Sequence, residues 1–137
     1  MRVFLDTNAF VDMLLTREEK KFNEDAKTLF QIAVENEQIE LFVSSVSIAT
    51  SFYLGRKYPR TIDKIRSLLD VINPLPVDDR DVKYALSTKM EDKEDAMQLS
   101  CALSNGCNVI ISRDVNHFSE STVPVLEPEQ FLRYLLG

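Results

Sequence analysis

Asp6 follows the apolar run Val3-Phe4-Leu5 directly, Asp114 follows Val109-Ile110-Ile111 across Ser112-Arg113, and Asp95 opens the helical stretch that leads into the second run. Carboxylates are hard oxygen ligands, and three of them converging on one point repel each other. Such a cluster is neutralised by raised pKa values or by a hard cation. The chain offers no competing ligand set, because its one histidine, His117, and its two cysteines, Cys101 and Cys107, lack partners at zinc-ligand spacing. Oxygen-only donors point to Mg²⁺ or Mn²⁺, which bind through one or two carboxylates, waters and substrate phosphates. The corresponding chemistry is phosphoryl transfer, in which a metal activates water and stabilises the attacking and leaving oxygens of a phosphodiester with no side-chain nucleophile.

Each aspartate also has a plain structural reading. Asp6-Thr7-Asn8 ahead of an apolar stretch is a good helix N-cap. Glu91, Asp92, Glu94 and Asp95 form an acidic run of the kind that starts a solvated helix and complements its dipole. Only the combination favours chemistry, and it requires that the two apolar runs be neighbouring strands. In open parallel sheets the functional crevice lies beyond the carboxyl ends of the strands, which is where Asp6 and Asp114 would then stand.

The elements that must position them are legible along the chain. Phe22, Ala26, Leu29, Phe30 and Ala33 share one face of a helix over about residues 21–36. Leu41-Phe42-Val43 reads as a strand ending in Ser44-Ser45, followed by a helix from Val46 to about Lys57 that Pro59 interrupts and restarts. Ile62, Ile65, Leu68 and Leu69 mark the next amphipathic face, Val71-Ile72 a short strand before Pro74, and Asp78–Ser87 a further helix. From Asp95 the residues Ala96, Leu99, Ala102 and Leu103 form a helix that stops at Asn105-Gly106, and Val109–Ile111 is a buried strand. An edge strand over Val123–Leu126 carrying Pro124, and a helix over Pro128–Leu136, complete the series. Short apolar strands separated by amphipathic helices predict a three-layer α/β/α fold around a central parallel sheet, Rossmann-like in class.

At 137 residues, 45% hydrophobic and 28% charged, the chain is expected to form one domain over 1–137 with no need of metal or disulfides for its core. Three glycines are too few and too scattered for a dinucleotide fingerprint or a P-loop. The apolar runs fall short of a membrane span, no secretory leader is visible, and the cysteines read as reduced thiols, so a soluble cytoplasmic protein with no membrane partner is expected. A formal charge of −6 has the wrong sign for binding nucleic acid by bulk electrostatics, so a polyanionic substrate must be met by local charge. Arg56, Lys57, Arg60, Lys64 and Arg66 against the single acid Asp63 form the candidate backbone-binding surface, with an ordinary solvated helix face as the alternative. Arg113, between Ser112 and Asp114, is placed either to contact a phosphate or to pair with a neighbouring carboxylate. His117 is read as structural or peripheral, and the aromatics at helix and strand spacing as packing rather than base-stacking platforms.

Asp6-Thr7-Asn8 after the first strand, Glu94-Asp95-Ala96 opening a late helix, and Ser112-Arg113-Asp114 with Phe118 after the next strand together resemble the PIN-domain nucleases, particularly the VapC-like toxins of toxin–antitoxin pairs. The resemblance runs through the whole chain in order. It implies a PIN fold, Mg²⁺- or Mn²⁺-dependent endonucleolytic cleavage of RNA, and a homodimer held by a small antitoxin. It also implies that Asp6, Asp95 and Asp114 are the catalytic, metal-binding carboxylates, with Asn8 and Ser112 as polar supports. One position departs from the pattern. The family usually carries an acid, commonly Glu, in the helix after the second strand, and here that position is Thr50, whose hydroxyl can bond a metal-bound water but brings no charge. Glu94 and Asp92 are the nearby acids available to substitute.

Two other classes compete with a nuclease. One is a PIN-like module that binds RNA or protein with its catalysis impaired, Thr50 being the trace. The other is a phosphoryl enzyme using Asp6 as nucleophile, but such an enzyme wants a second Asp where this chain has Asn8, and a receiver domain wants an Asp where the second strand ends in Ser44-Ser45.

Overall fold

A computed structural model describes residues 1–16 and 20–137. Its centre is a five-stranded sheet in the order β3-β2-β1-β4-β5, with every neighbouring pair parallel. The strands are β1 (Arg2–Leu5), β2 (Glu40–Ser44), β3 (Asn73–Leu75), β4 (Val109–Ile111) and β5 (Val125–Leu126). The helices are α1 (Thr7–Leu14), α2 (Lys20–Glu35), α3 (Ser45–Leu54), α4 (Thr61–Leu69), α5 (Asp79–Ser87), α6 (Lys93–Ser104) and α7 (Pro128–Leu136), with a 3-10 turn over Val115–Phe118.

The alternation of side chains along each strand assigns the layers. Val3, Leu5, Leu41, Val43, Val109 and Ile111 point into one core, which α1, α2, α4 and α7 fill with Phe10, Leu29, Leu68 and Phe131. Phe4, Phe42 and Ile110 point the other way, against Ala85 of α5 and Ala96, Leu99 and Ala102 of α6. Both faces are therefore covered, which is why the strands read as unbroken apolar runs, and the three-layer α/β/α architecture expected from the sequence is the one observed. Cys101 and Cys107 are free and buried in the second core, where burial pushes their thiols up to about 12 and about 11 from an ordinary 9.0. They behave there as small hydrophobes. Among the described residues, no helix is long and apolar enough to cross a membrane.

The departures from the sequence expectation lie at element ends. Val71 and Ile72 are not a strand. Their N–H groups both donate to the Leu68 carbonyl and finish the turn that ends α4, so β3 begins at Asn73 and contains Pro74. Proline is tolerated because β3 pairs only with β2 and forms the sheet edge. The opposite edge is shorter than expected: Pro124 stays outside β5, although its carbonyl still accepts from the Ile110 N–H. Helix α3 stops at Leu54 rather than Lys57, and α4 starts at Thr61, after Arg60 in a left-handed conformation with φ 63°.

The link between α3 and α4 is closed by one side chain. The buried Thr61 hydroxyl donates to the carbonyls of Gly55 (2.7 Å) and Tyr58 (3.1 Å). A Cβ on Gly55 would meet the Thr61 methyl at 2.3 Å, so only glycine fits without a shift. Gly55→Ala is expected to cost about 1–3 kcal/mol in urea unfolding, and Thr61→Ser in that background to recover part of it by deleting the clashing methyl. Equal losses with and without the second change would locate the cost elsewhere.

Candidate metal centre at the strand ends

Strand β1 lies between β2 and β4, with Leu5 opposite Ile111, so the chain brings two strand ends together from distant parts of its length. The Asp6 N–H donates to the Ile111 carbonyl at 2.9 Å and extends the pairing one residue beyond the strand. Asp6 occupies the N-cap position of α1, yet its side chain does not cap the helix. Its Oδ2 instead accepts from the Ser112 hydroxyl at 2.8 Å, and that same hydroxyl oxygen accepts from the Asp114 N–H at 3.0 Å. One buried serine thus joins the two acids that follow β1 and β4. Asn8, in the first turn of α1, donates from Nδ2 to Asp114 Oδ2 at 3.0 Å.

Asp95 arrives from α6. The cap of that helix is Asp92, whose Oδ1 accepts from the Asp95 N–H at 3.0 Å, leaving the Asp95 carboxylate for other work. It meets His117 Nδ1 at 3.2 Å. His117 is therefore not peripheral. It sits in the 3-10 turn just after β4, and the helical hydrophobic pattern that organised the sequence reading carries no signal for such a turn.

The electrostatics show that these acids share one field. Burial is the largest cause pushing the Asp6 carboxyl from 3.8 up to about 6. The Ser112 hydroxyl and a Thr7 backbone hydrogen bond oppose that shift, and the charges of Asp114 and Glu94 add to it. Asp95 is pushed up to about 7, first by burial, then by the charges of Asp6 and Asp92, against the pull of His117. Among the described residues no three His, Cys, Asp or Glu side chains close into a metal cage as they stand.

Glu94 is exposed and reaches the group through its charge on Asp6, while Asp92 is committed to capping. Thr50 is half-buried on α3, one turn past Ser47, and among the described residues no hydrogen bond joins it to the carboxylates. Beneath them lies a polar floor that the sequence reading missed. Gln98 Nε2 donates to Thr7 Oγ1 (2.9 Å) and Ser47 Oγ (2.6 Å), and the two hydroxyls bond each other at 2.7 Å. The signal was available: Gln98 is one turn beyond Asp95 in an otherwise apolar stretch. Its Oε1 is buried with no hydrogen-bond partner among the described residues.

Of the two roles the sequence left open for Arg113, the structure shows the ion pair. Its Nε and Nη2 donate to Asp12 Oδ2 and Oδ1 at 2.7 and 2.6 Å, and its guanidinium lies 4.3 Å over the Phe22 ring. Asp12, a lone acid among Ala9, Phe10, Val11, Met13 and Leu14, was the unread clue; all six are buried. Arg56, Lys57 and Arg60 lie beyond the end of α3, a ten-residue helix about 15 Å long that begins at the strand ends. Among the described residues, no hydrogen bond or ion pair brings them to the carboxylates. Arg56 instead stacks on Tyr53 at 3.9 Å and Arg66 pairs with Asp63.

The chain matches the PIN domain family over residues 2–116. Ribonuclease VapC1 of Aquifex aeolicus (strain VF5) is 27% identical to it over 138 aligned positions, covering 95% of this chain and 92% of the relative. Two solved structures share the fold. A toxin–antitoxin complex from Klebsiella pneumoniae matches with a TM-score of 0.67 and 19% identity, over 92% of this chain and 97% of that one. VapBC2 from Rickettsia felis, bound to a DNA fragment from its promoter, matches with a TM-score of 0.65 and 15% identity, over 93% and 98%.

Two expectations follow from the geometry. Arg113→Met strips the fully buried Asp12 carboxylate of two charge-assisted hydrogen bonds, and should lower stability by about 3 kcal/mol in urea unfolding. The raised pKa values of Asp6 and Asp95 act in the opposite sense to an ordinary ion pair. Their contribution favours the folded state below the unfolded value of 3.8 and is lost as pH rises through about 6 and about 7. In chelator, the unfolding midpoint should therefore fall between pH 5 and 8, and Asp6→Asn should recover about 1–3 kcal/mol at the upper end. A midpoint that does not change over that range would contradict the repulsion.

Proposed function

The chain belongs to the PIN domain family, and from that premise we propose that it is a metal-dependent endoribonuclease that hydrolyses RNA phosphodiester bonds and acts as the cytoplasmic toxin of a toxin–antitoxin pair. The observation that carries the reading is the Ser112 hydroxyl joining Asp6 and Asp114 at the ends of two adjacent parallel strands, with Asp95 entering the same field from α6. The name of its relative, a ribonuclease, and the toxin–antitoxin complexes that share its fold support the substrate class and the partner.

In this reading Asp6, Asp95 and Asp114 hold Mg²⁺ or Mn²⁺. The donor set fits such an ion in kind: all three side chains offer oxygen, and the Asp6 and Asp95 carboxyls are raised first by burial and then by neighbouring negative charge, the part that a cation would relieve. When bound, the ion supplies Lewis-acid polarisation of the scissile phosphodiester and charge for its departing oxygen. The remaining work belongs to the protein. Ser112 and Asn8 fix the two strand-end carboxylates, and His117 holds the Asp95 carboxylate by its Nδ1 contact. The Thr7–Ser47–Gln98 bonds tie together α1, α3 and α6, the helices that follow β1 and β2 and the one that carries Asp95. Thr50 leaves the group one charge short of the usual family pattern. The impaired-module reading has nothing else to recommend it, since the other three acids keep their partners.

The test is cleavage of a mixed RNA substrate with titration calorimetry of Mg²⁺ and Mn²⁺ on the same samples. Cleavage should require the ion and stop in chelator, and each of Asp6→Asn, Asp95→Asn and Asp114→Asn should lower kcat/KM by at least about 100-fold. Mg²⁺ should raise the melting temperature more at pH 8 than at pH 5.5, where the acids are partly protonated. Unchanged cleavage in all three variants would overturn the assignment.

A further inference from the structure

Carboxylates and a cation at a phosphodiester recognise what every RNA has in common, so nothing in that group selects a sequence. A cavity of about 560 Å³ beside it has the chemistry to do so. One wall is the segment between α5 and α6, with Lys89, Met90, Glu91 and Asp92; the other is the 3-10 turn, with Asn116 and His117. Its volume lies within the range of small-molecule sites. The segment with Lys89 is held near the turn, because the Lys89 N–H donates at 3.2 Å to Oε1 of Glu120, two residues past the turn's end. The cleft also adjoins the carboxylates through two contacts: His117 touches Asp95, and Asp92 caps the Asp95 N–H.

The lining selects among ligands. Met90 lines the cavity from the second core, its polarisable thioether side chain 4% exposed at the cavity's edge. Around it stand donors and acceptors together: the Asn116 amide, the Lys89 ammonium, and the Glu91 and Asp92 carboxylates. That mixture matches the edge of a nucleobase, which presents donors and acceptors side by side. It does not match a phosphate, which two acids against one lysine would repel. Bases are read in this way in single-stranded segments, where they are unstacked and their edges are free.

We propose that this cleft seats the unstacked base of a nucleotide flanking the scissile phosphate and thereby determines which RNA sequence is cut. The inference rests on the ribonuclease reading and extends it from the backbone to the base. Asn116 is the reader, His117 joins the cleft to the reacting group, and the basic residues beyond α3 have no part in the choice.

Two measurements on the full chain separate this proposal from the reading beneath it. In cleavage of a randomised RNA pool, the wild type should prefer one base next to the cut, and Asn116→Ala should reduce that preference by about tenfold. In amide NMR, titration with each of the four nucleoside 5′-monophosphates should shift the Asn116 side-chain amide and the Met90 methyl, one base more than the others. A preference that survives Asn116→Ala, or a loss of cleavage that is equal at all sequences, overturns the base-reading role while the ribonuclease stands. Base-selective shifts from a protein that cuts no RNA would keep the cleft and remove the ribonuclease. No cleavage and no shifts would remove both.

Discussion

Like charges do not gather of their own accord, and Asp6, Asp95 and Asp114 are held together because the backbone leaves them no alternative. The pairing of β1 with β4, closed by the Asp6 N–H on the Ile111 carbonyl, is built from apolar residues that are almost wholly buried. Burial of that kind contributes roughly 1.5–3 kcal/mol per large side chain, and the central strands supply several. That sum outweighs the cost of burying Asp6 and Asp95 beside other acids, which shows in their raised pKa values, first through burial and then through repulsion. The hydrophobic layers therefore set the electrostatics of the strand ends rather than the reverse.

From this constraint the surrounding polar groups acquire their roles. Ser112 is placed where one hydroxyl can donate to one acid and accept from the backbone of the other, which fixes both without adding charge. Asn8 holds Asp114 from α1, and His117 meets Asp95 from the 3-10 turn. Arg113, flanked by two of these residues in sequence, is turned away into the Asp12 pair. That separation has a physical logic: a guanidinium among the carboxylates would neutralise them internally and leave less for a cation to do. Placed on Asp12 instead, it anchors the loop after β4 to α1 and, through Phe22, to α2.

The layers were legible in the sequence, because they rest on apolar runs; the adjacency of β1 and β4 was only a condition of the three-acid reading, and the sheet order meets it. Two parallel strands with an Asp after each leave little freedom once they are neighbours. The rest is of a different kind. Val71-Ile72 resembled a strand by composition but was claimed by the last turn of α4, a competition decided by backbone hydrogen bonds. The Asp12–Arg113 pair and the Gln98 floor depend on which faces of α1 and α6 turn toward other elements. A single chain's periodicity shows that a polar residue lies on a buried face, but not what meets it there. His117 read as structural or peripheral because a lone histidine makes neither a metal cluster nor a two-histidine mechanism, and its observed partner is a carboxylate.

The Ser112–Asp6 bond joins positions 106 residues apart, and this has a consequence for the time at which the group comes into being. During synthesis the first strand emerges long before its partner exists, and at about 5–20 residues per second the wait is on the order of ten seconds. Over that interval the N-terminal half can assemble β1, β2 and their helices, but Asp6 has neither Ser112 nor Asp114 beside it. Chains released early carry the first acid and none of its company. The arrangement makes assembly of the carboxylate group an event of the finished chain, and a growing or truncated copy lacks it by topology.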